Sequence, residues 1–165
     1  MDMRGVLLSL MALCALTAGE RPRLVGLKRI AVVVAADPLG DLDTGRLRAA
    51  VEARLRDAGI HIDAKARSRL NVTIGVSDIR TGKGEALGYA YSIHVGMSQQ
   101  VYLANNPSIM TNAVTWEGVW LGIASPGDLG AKCAQSIDKR LNEFVAVYQA
   151  GLEDDAAGSR ATARR

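Results

Sequence analysis

The clearest hydrophobic pattern lies between Tyr89 and Leu103, where apolar and polar residues alternate. The odd-numbered positions are mainly apolar, and the even-numbered positions are mainly polar or small. Because alternate residues of a β-strand point to opposite faces, this segment predicts one long strand with one covered and one polar face. Residues 70–79 alternate in the same way, and the glycine-rich turn at 81–85 predicts that the two strands pair antiparallel.

Three further segments predict strands. A β-branched run within residues 24–36 is typical of a buried central strand, and residues 60–64 predict a short one. Residues 113–124 predict a strand with Trp116 and Trp120 on one face, after a turn at residues 105–108.

Two segments have helical periodicity. Between Asp43 and Ala58, apolar residues recur every four positions, Asp41 or Asp43 is suited to cap the start, and Gly59 to end the helix. A second helix is predicted to start at Ser125, with an apolar stripe at Ala134, Ile137, Leu141, Val145 and Tyr148. The order β-α-β-β-β-β-α predicts an α+β two-layer sandwich, in which two helices cover one face of a mostly antiparallel sheet.

The chain ends predict export and a polar tail. Residues 1–19 combine Arg4, an apolar run and small residues, which is typical of a signal peptide. The run is shorter than a membrane span requires. Residues 20–151 are predicted to form a single domain, and residues 152–165 a disordered polar tail. Lipid anchoring at Cys14 is the less favoured alternative, because Leu13 precedes it where a small residue is expected. We therefore expect a periplasmic or extracellular protein without a transmembrane segment in its mature chain.

Composition narrows the function classes. The 165 residues have a formal net charge of +3 and 4% aromatic residues. The basic residues around Arg46–Lys83 are mixed with acids, which indicates a solvated helix surface and not a nucleic-acid-binding face. After signal removal Cys133 is the remaining cysteine, on the apolar side of the second helix. We expect a buried, unreactive thiol, with a link between two chains as the alternative.

The candidate catalytic and metal-binding residues are sparse. Asp37, Asp41 and Asp43 lie close together, but they lack the spacing of a calcium loop and also suit helix starts. His61 with Asp63 supplies too few ligands for zinc. There is no nucleophile elbow and no phosphate-binding loop. The sequence therefore predicts neither an enzyme nor a cofactor or metal site, with a hydrolase based on His94 as a minor alternative.

The candidate binding residues are mostly aromatic. They are Trp116, Trp120, Tyr89, Tyr91 and His94, all on predicted strands. The aromatic side chains suit either a core or a binding surface. A sheet covered on one side also leaves an open face and open edges for a partner.

Several short motifs resemble those of small exported bacterial domains. They are Leu-Arg-Asp-Ala-Gly-Ile at 55–60, Tyr-Ala-Tyr-Ser-Ile at 89–93, Gln-Gln-Val at 99–101, Thr-Trp at 115–116, and a closing helix with Phe144 and Tyr148. Over residues 28–148 the chain resembles uncharacterised periplasmic proteins and, in fold, the amino-terminal domain of the TolB type. That resemblance implies a role in envelope assembly through protein contacts, and it implies no catalytic residues.

The sequence thus favours a non-enzymatic envelope domain that binds another envelope protein of unknown identity. A carrier of a small molecule or glycan, with Trp116 and Trp120 in a cleft, is the alternative. The oligomeric state is left open.

Overall fold

The computed structural model describes Leu24 and residues 27–162, with side chains described as far as Leu152. The predicted signal peptide lies outside the described residues. The strands and helices are β1 (Arg29–Ala36), α1 (Thr44–Asp57), β2 (His61–Ile62), β3 (Arg69–Arg80), β4 (Ala86–Leu103), β5 (Asn106–Ala124) and α2 (Leu129–Thr162). A short 3-10 helix, Pro38–Gly40, follows β1. The predicted α+β order is confirmed.

The five described strands form one sheet in the order β2-β1-β3-β4-β5. β1 runs parallel to both β2 and β3, whereas β3, β4 and β5 form an antiparallel meander. The parallel pairing follows from α1, because a crossover helix brings the chain back to the same end of the sheet. β2 and β5 are therefore the edge strands.

The local sequence accounts for the start and end of α1. The Asp43 carboxylate accepts a hydrogen bond of 2.8 Å from the backbone N–H of Arg46, which satisfies one of the free donors of the first turn. The helix is followed by Gly59, whose φ of 81° is the left-handed conformation that glycine tolerates best. Asp37 caps the 3-10 helix in the same way, through a 2.9 Å bond from Leu39 N–H. Asp37 and Asp43 therefore serve as N-caps through their side chains, and Asp41 is the C-cap of the 3-10 helix, with its backbone N–H donating to the Pro38 carbonyl.

The core lies between the sheet and the two helices. The alternation predicted for β3 and β4 is observed, because their inward side chains are buried in the same core as those of the helices. Its largest fully buried side chains are Phe144, Leu24, Ile30, Leu55, Leu70, Ile74, Ile93, Met97 and Leu141. All of these lie on the helix side of the sheet or on the helices, so the opposite sheet face is open among the described residues.

Several boundaries differ from the sequence prediction, among them the start of α2, which is Leu129 and not Ser125. β5 begins at Asn106 and not at residue 113, because a tight turn at residues 104–105 pairs Leu103 with Asn106. The helix α2 continues to Thr162, into the segment 152–165 predicted to be disordered. Alanine has the highest helix propensity, and Ala156, Ala157 and Ala161 favour this continuation despite the lack of an apolar stripe.

Candidate functional site

The five sequence-predicted binding residues do not share one surface. The odd-numbered residues of β4 point to the helix layer, so Tyr89 and Tyr91 lie on the side of the core. In β5 the register places Trp116 and Trp120 on that same side, opposite Met97 and Ile93. His94 lies on the other, open face.

Trp116 is a core residue. Its side chain is 8% exposed, and its ring meets that of Phe144 edge-on, with the centroids 5.2 Å apart and the planes at 67°. Edge-to-face contact of this kind stabilises aromatic pairs beyond the area that they bury. Trp116 thus packs β5 against α2.

Tyr91 is also buried, and its hydroxyl lies 3.1 Å from the hydroxyl of Ser136 on α2. A buried hydroxyl requires such a partner, because it has lost its hydrogen bonds to water. Tyr89, nearer the end of the sheet, is half-buried and packs against the core. Both tyrosines therefore contribute to packing between the sheet and α2.

Trp120 is half-buried, and two cations of α2 lie over its ring. The Lys139 Nζ is 4.7 Å and the Arg140 Cζ 5.5 Å from the ring centroid. Arg140 also forms an ion pair of 2.7 Å with Glu143. Cations over an aromatic ring are favourable, so the ring of Trp120 already has partners on α2.

The open face is polar on β3 and β4. Asn71 donates a hydrogen bond of 3.4 Å to Ser98, and His94 Nε2 lies 3.2 Å from a carboxylate oxygen of Glu117 on β5. The His94 and Glu117 side chains are 43% and 63% exposed. A pair this exposed contributes little to stability, and it supplies no nucleophile.

The open face is apolar on β5. Val119, Leu121 and Ile123, which we call the apolar row, lie opposite His94, Ser92 and Ala90 of β4. Val119, Leu121 and Ile123 are 55%, 74% and 73% exposed, respectively. Three large aliphatic side chains in line on one strand form a contiguous exposed patch, which in proteins commonly marks an interaction site.

Sequence reasoning missed the apolar row. The binding residues predicted on β5 were Trp116 and Trp120, which are even-numbered. The odd-numbered residues 119, 121 and 123 are equally apolar and were not considered. A strand that is apolar on both faces is typical of a position buried from both sides. Here both helices lie on the other face of the sheet, so one apolar face of β5 is exposed.

Among the described residues, no three His, Cys, Asp or Glu side chains lie close enough together to hold a metal ion. Asp63, one of the zinc candidates, instead pairs with Arg29 at 3.2 Å. Cys133 is a free thiol, fully buried on α2, and its burial raises the pKa to about 11. No helix in the described part of the chain is both long and apolar enough to span a membrane.

Comparisons with known proteins found similarity at the level of solved structures. A PelC dodecamer from Paraburkholderia phytofirmans aligns with a TM-score of 0.41 and 16% identity, over 71% of this chain and 86% of that one. A single-residue variant of the same protein gives a TM-score of 0.42, also at 16% identity, over 71% of this chain and 87% of that one. The rare lipoprotein B from Shewanella oneidensis aligns with a TM-score of 0.24 and 15% identity, over 82% of this chain and 99% of that one.

Neither the family models nor the curated proteins gave a match to this chain. The structural similarities are too low to show a family, and the resemblance to the TolB type stays a prediction.

Proposed function

We propose that this chain is an exported, non-catalytic domain of the cell envelope that binds another envelope protein through the open face of its sheet. The observation that carries the proposal is the exposed apolar row, Val119, Leu121 and Ile123. The predicted signal peptide supports the location, and the paired, exposed His94 supports a role without catalysis.

The energetics favour an occupied apolar row. Burying one exposed Leu or Ile side chain is worth about 1.5–3 kcal/mol, so three in line represent a substantial driving force for association. The neighbouring side chains of β4, Ser92 and His94, provide a polar rim next to the apolar row. An apolar centre beside polar groups is the composition of many protein–protein interfaces.

The carrier alternative has less support. It relies on Trp116 and Trp120 in a cleft, but Trp116 packs on Phe144 in the core and the ring of Trp120 lies under Lys139 and Arg140. We therefore favour the protein-binding function.

The proposal is tested by site-specific crosslinking in cells. A photoreactive amino acid replaces Leu121 in the full exported chain, and a matched control carries it at Ala53, which is exposed on α1. We expect a crosslink to one envelope protein from position 121 and none from position 53. Equal crosslinking of the same protein from both positions would contradict the proposal. So would the absence of a crosslink from position 121 to any protein other than this chain.

A further inference from the structure

The two edges of the sheet differ in length and in protection. β2 has 2 residues, whereas β5 has 19. Proteins usually protect a long edge strand with lysine, proline or a covering segment, because its free backbone groups attract other strands. Between Ile109 and Ala124, β5 contains no lysine and no proline, and Glu117 is its only charged residue.

The outward side chains near the end of β5 form a self-complementary sequence. Along the open face they read Glu117, Val119, Leu121, Ile123 and then Ser125 after the strand. When two such strands pair antiparallel about a twofold axis at Leu121, Val119 faces Ile123 and Leu121 faces Leu121. Glu117 then faces Ser125, so no like charges oppose each other on the strands.

Neighbouring registers are less favourable. An axis at Trp120 sets Glu117 opposite Ile123, and an axis at Gly122 sets Val119 opposite Ser125. The axis at Leu121 is the one that places all three apolar side chains opposite apolar side chains. It also places Trp120 of one copy opposite Gly122 of the other, so a large side chain meets a small one on the inner face.

We propose that the free edge of β5 pairs antiparallel with β5 of a second copy of this chain, about a twofold axis at Leu121. The two sheets then form one continuous sheet. The apolar rows of the two copies become adjacent, and the previously free backbone groups of β5 are hydrogen-bonded. This inference stands on the edge and its sequence, and it holds whether or not another envelope protein binds the open face.

The short β2 edge limits the assembly to two chains. A head-to-tail contact between β5 and β2 would repeat and generate a fibre. With only two residues, β2 gives such a contact too few backbone hydrogen bonds. A pairing of β5 with itself uses the one long edge of each copy, so it closes after one contact.

The contact is small, which sets the expected affinity. It comprises a short antiparallel pairing and three apolar side chains from each copy, at the low end of the areas that specific interfaces bury. We expect reversible dimers with a Kd on the order of micromolar, as is typical of small interfaces.

The test uses charge substitutions on the axis itself, in the exported and processed chain. Leu121→Lys and Leu121→Glu each set two like charges opposite each other, so each variant alone is expected to lose the dimer. Mixed in equal amounts, the two variants set Lys opposite Glu and are expected to regain it. Sedimentation velocity gives the masses, and circular dichroism checks that each variant is folded.

Val33→Lys is the matched control, because Val33 is exposed on the open face but lies on β1, away from the β5 edge. This variant is expected to keep the wild-type dimer. A monomeric wild-type chain well above micromolar concentration would overturn the inference. So would a larger assembly that persists in the Leu121→Lys variant, or a folded mixture that does not reassociate.

Discussion

The ring of Tyr91 fills the space where a side chain at Gly122 would stand. A Cβ at position 122 would lie 2.5 Å from Cζ and 2.6 Å from the hydroxyl oxygen of Tyr91. The same hydroxyl oxygen lies 3.1 Å from the hydroxyl oxygen of Ser136 on α2, within hydrogen-bonding distance. Tyr91 is thus fixed between β5 and α2, and glycine at position 122 is a condition of that packing.

Gly122→Ala is therefore expected to lower the free energy of unfolding by about 1–3 kcal/mol, the usual cost of overpacking. Urea denaturation measures the change. Gly127→Ala is the matched control, because no atom lies within 4 Å of a Cβ there. Adding Tyr91→Ala to Gly122→Ala should cost less than the sum of the two single changes. Strict additivity would show that the steric conflict is absent.

Trp116→Ala is expected to lower the free energy of unfolding by about 3–5 kcal/mol, because the change leaves a cavity against Phe144 in the core. Trp120→Ala, at a half-buried position, should cost less. Urea denaturation compares the two variants with the wild type. A folded Trp116→Ala variant of unchanged stability would place that side chain at a surface and revive the carrier alternative.

The thiol of Cys133 is expected to be unreactive in the folded protein. Its burial raises the pKa to about 11, so hardly any reactive thiolate forms at neutral pH. A colorimetric thiol reagent should label the native chain very slowly and the chain in denaturant rapidly. Rapid labelling of native protein, or a disulfide-linked dimer on a nonreducing gel, would contradict the burial of this residue.

The same thiol gives a pH dependence to stability. Because its pKa in the folded protein is above the ordinary value of 9.0, the folded state holds the proton more tightly than the unfolded state. This contribution is complete below pH 9 and is lost as the pH rises toward 11. Relative to Cys133→Ala, the wild type should therefore lose stability between these values, as measured by urea denaturation across the alkaline range.

Glu52 on α1 is expected to make a small contribution to stability that is lost at acid pH. A hydrogen bond of 2.8 Å from Arg48 and one of 2.7 Å from Arg56 lower the pKa of its carboxyl below the ordinary 4.5. Glu52→Gln should cost about 0.5 kcal/mol at neutral pH, since such helix-surface pairs are solvent-screened. The cost should vanish in high salt and as the pH falls below 4.5. A cost that persists under both conditions would indicate that Glu52 acts through packing.

The alternation of residues was enough to predict much of the fold. Apolar side chains at every second position of β3 and β4 fix which face is covered, and the charge on Asp43 and the flexibility of Gly59 fix the ends of α1. These properties depend on residues close together in the chain, so they can be predicted from the sequence.

The candidate site depended on information that is not local. Whether Leu121 and Ile123 are buried is decided by whether a second layer covers their face of the sheet, which sequence periodicity does not contain. In the middle of a sheet covered on both sides they would be core residues. In a sheet covered on one side, the same residues on the uncovered face are exposed. The aromatic residues were overrated as binding candidates. A large aromatic side chain such as Trp116 suits a core as well as a binding surface, and the sequence does not distinguish the two.

The parallel pairing of β1 with β3 has a consequence for the order of folding. β1 is synthesised first, but its longer partner, β3, begins at Arg69, whereas the meander from Arg69 to Ala124 joins neighbouring segments. Local contacts form faster than distant ones, so the meander is expected to assemble first and β1 to insert beside β3 afterwards. A chain whose leading strand has no long partner until later in synthesis is expected to stay unfolded longer at its amino-terminal end. That delay suits a chain predicted to cross a membrane before it folds.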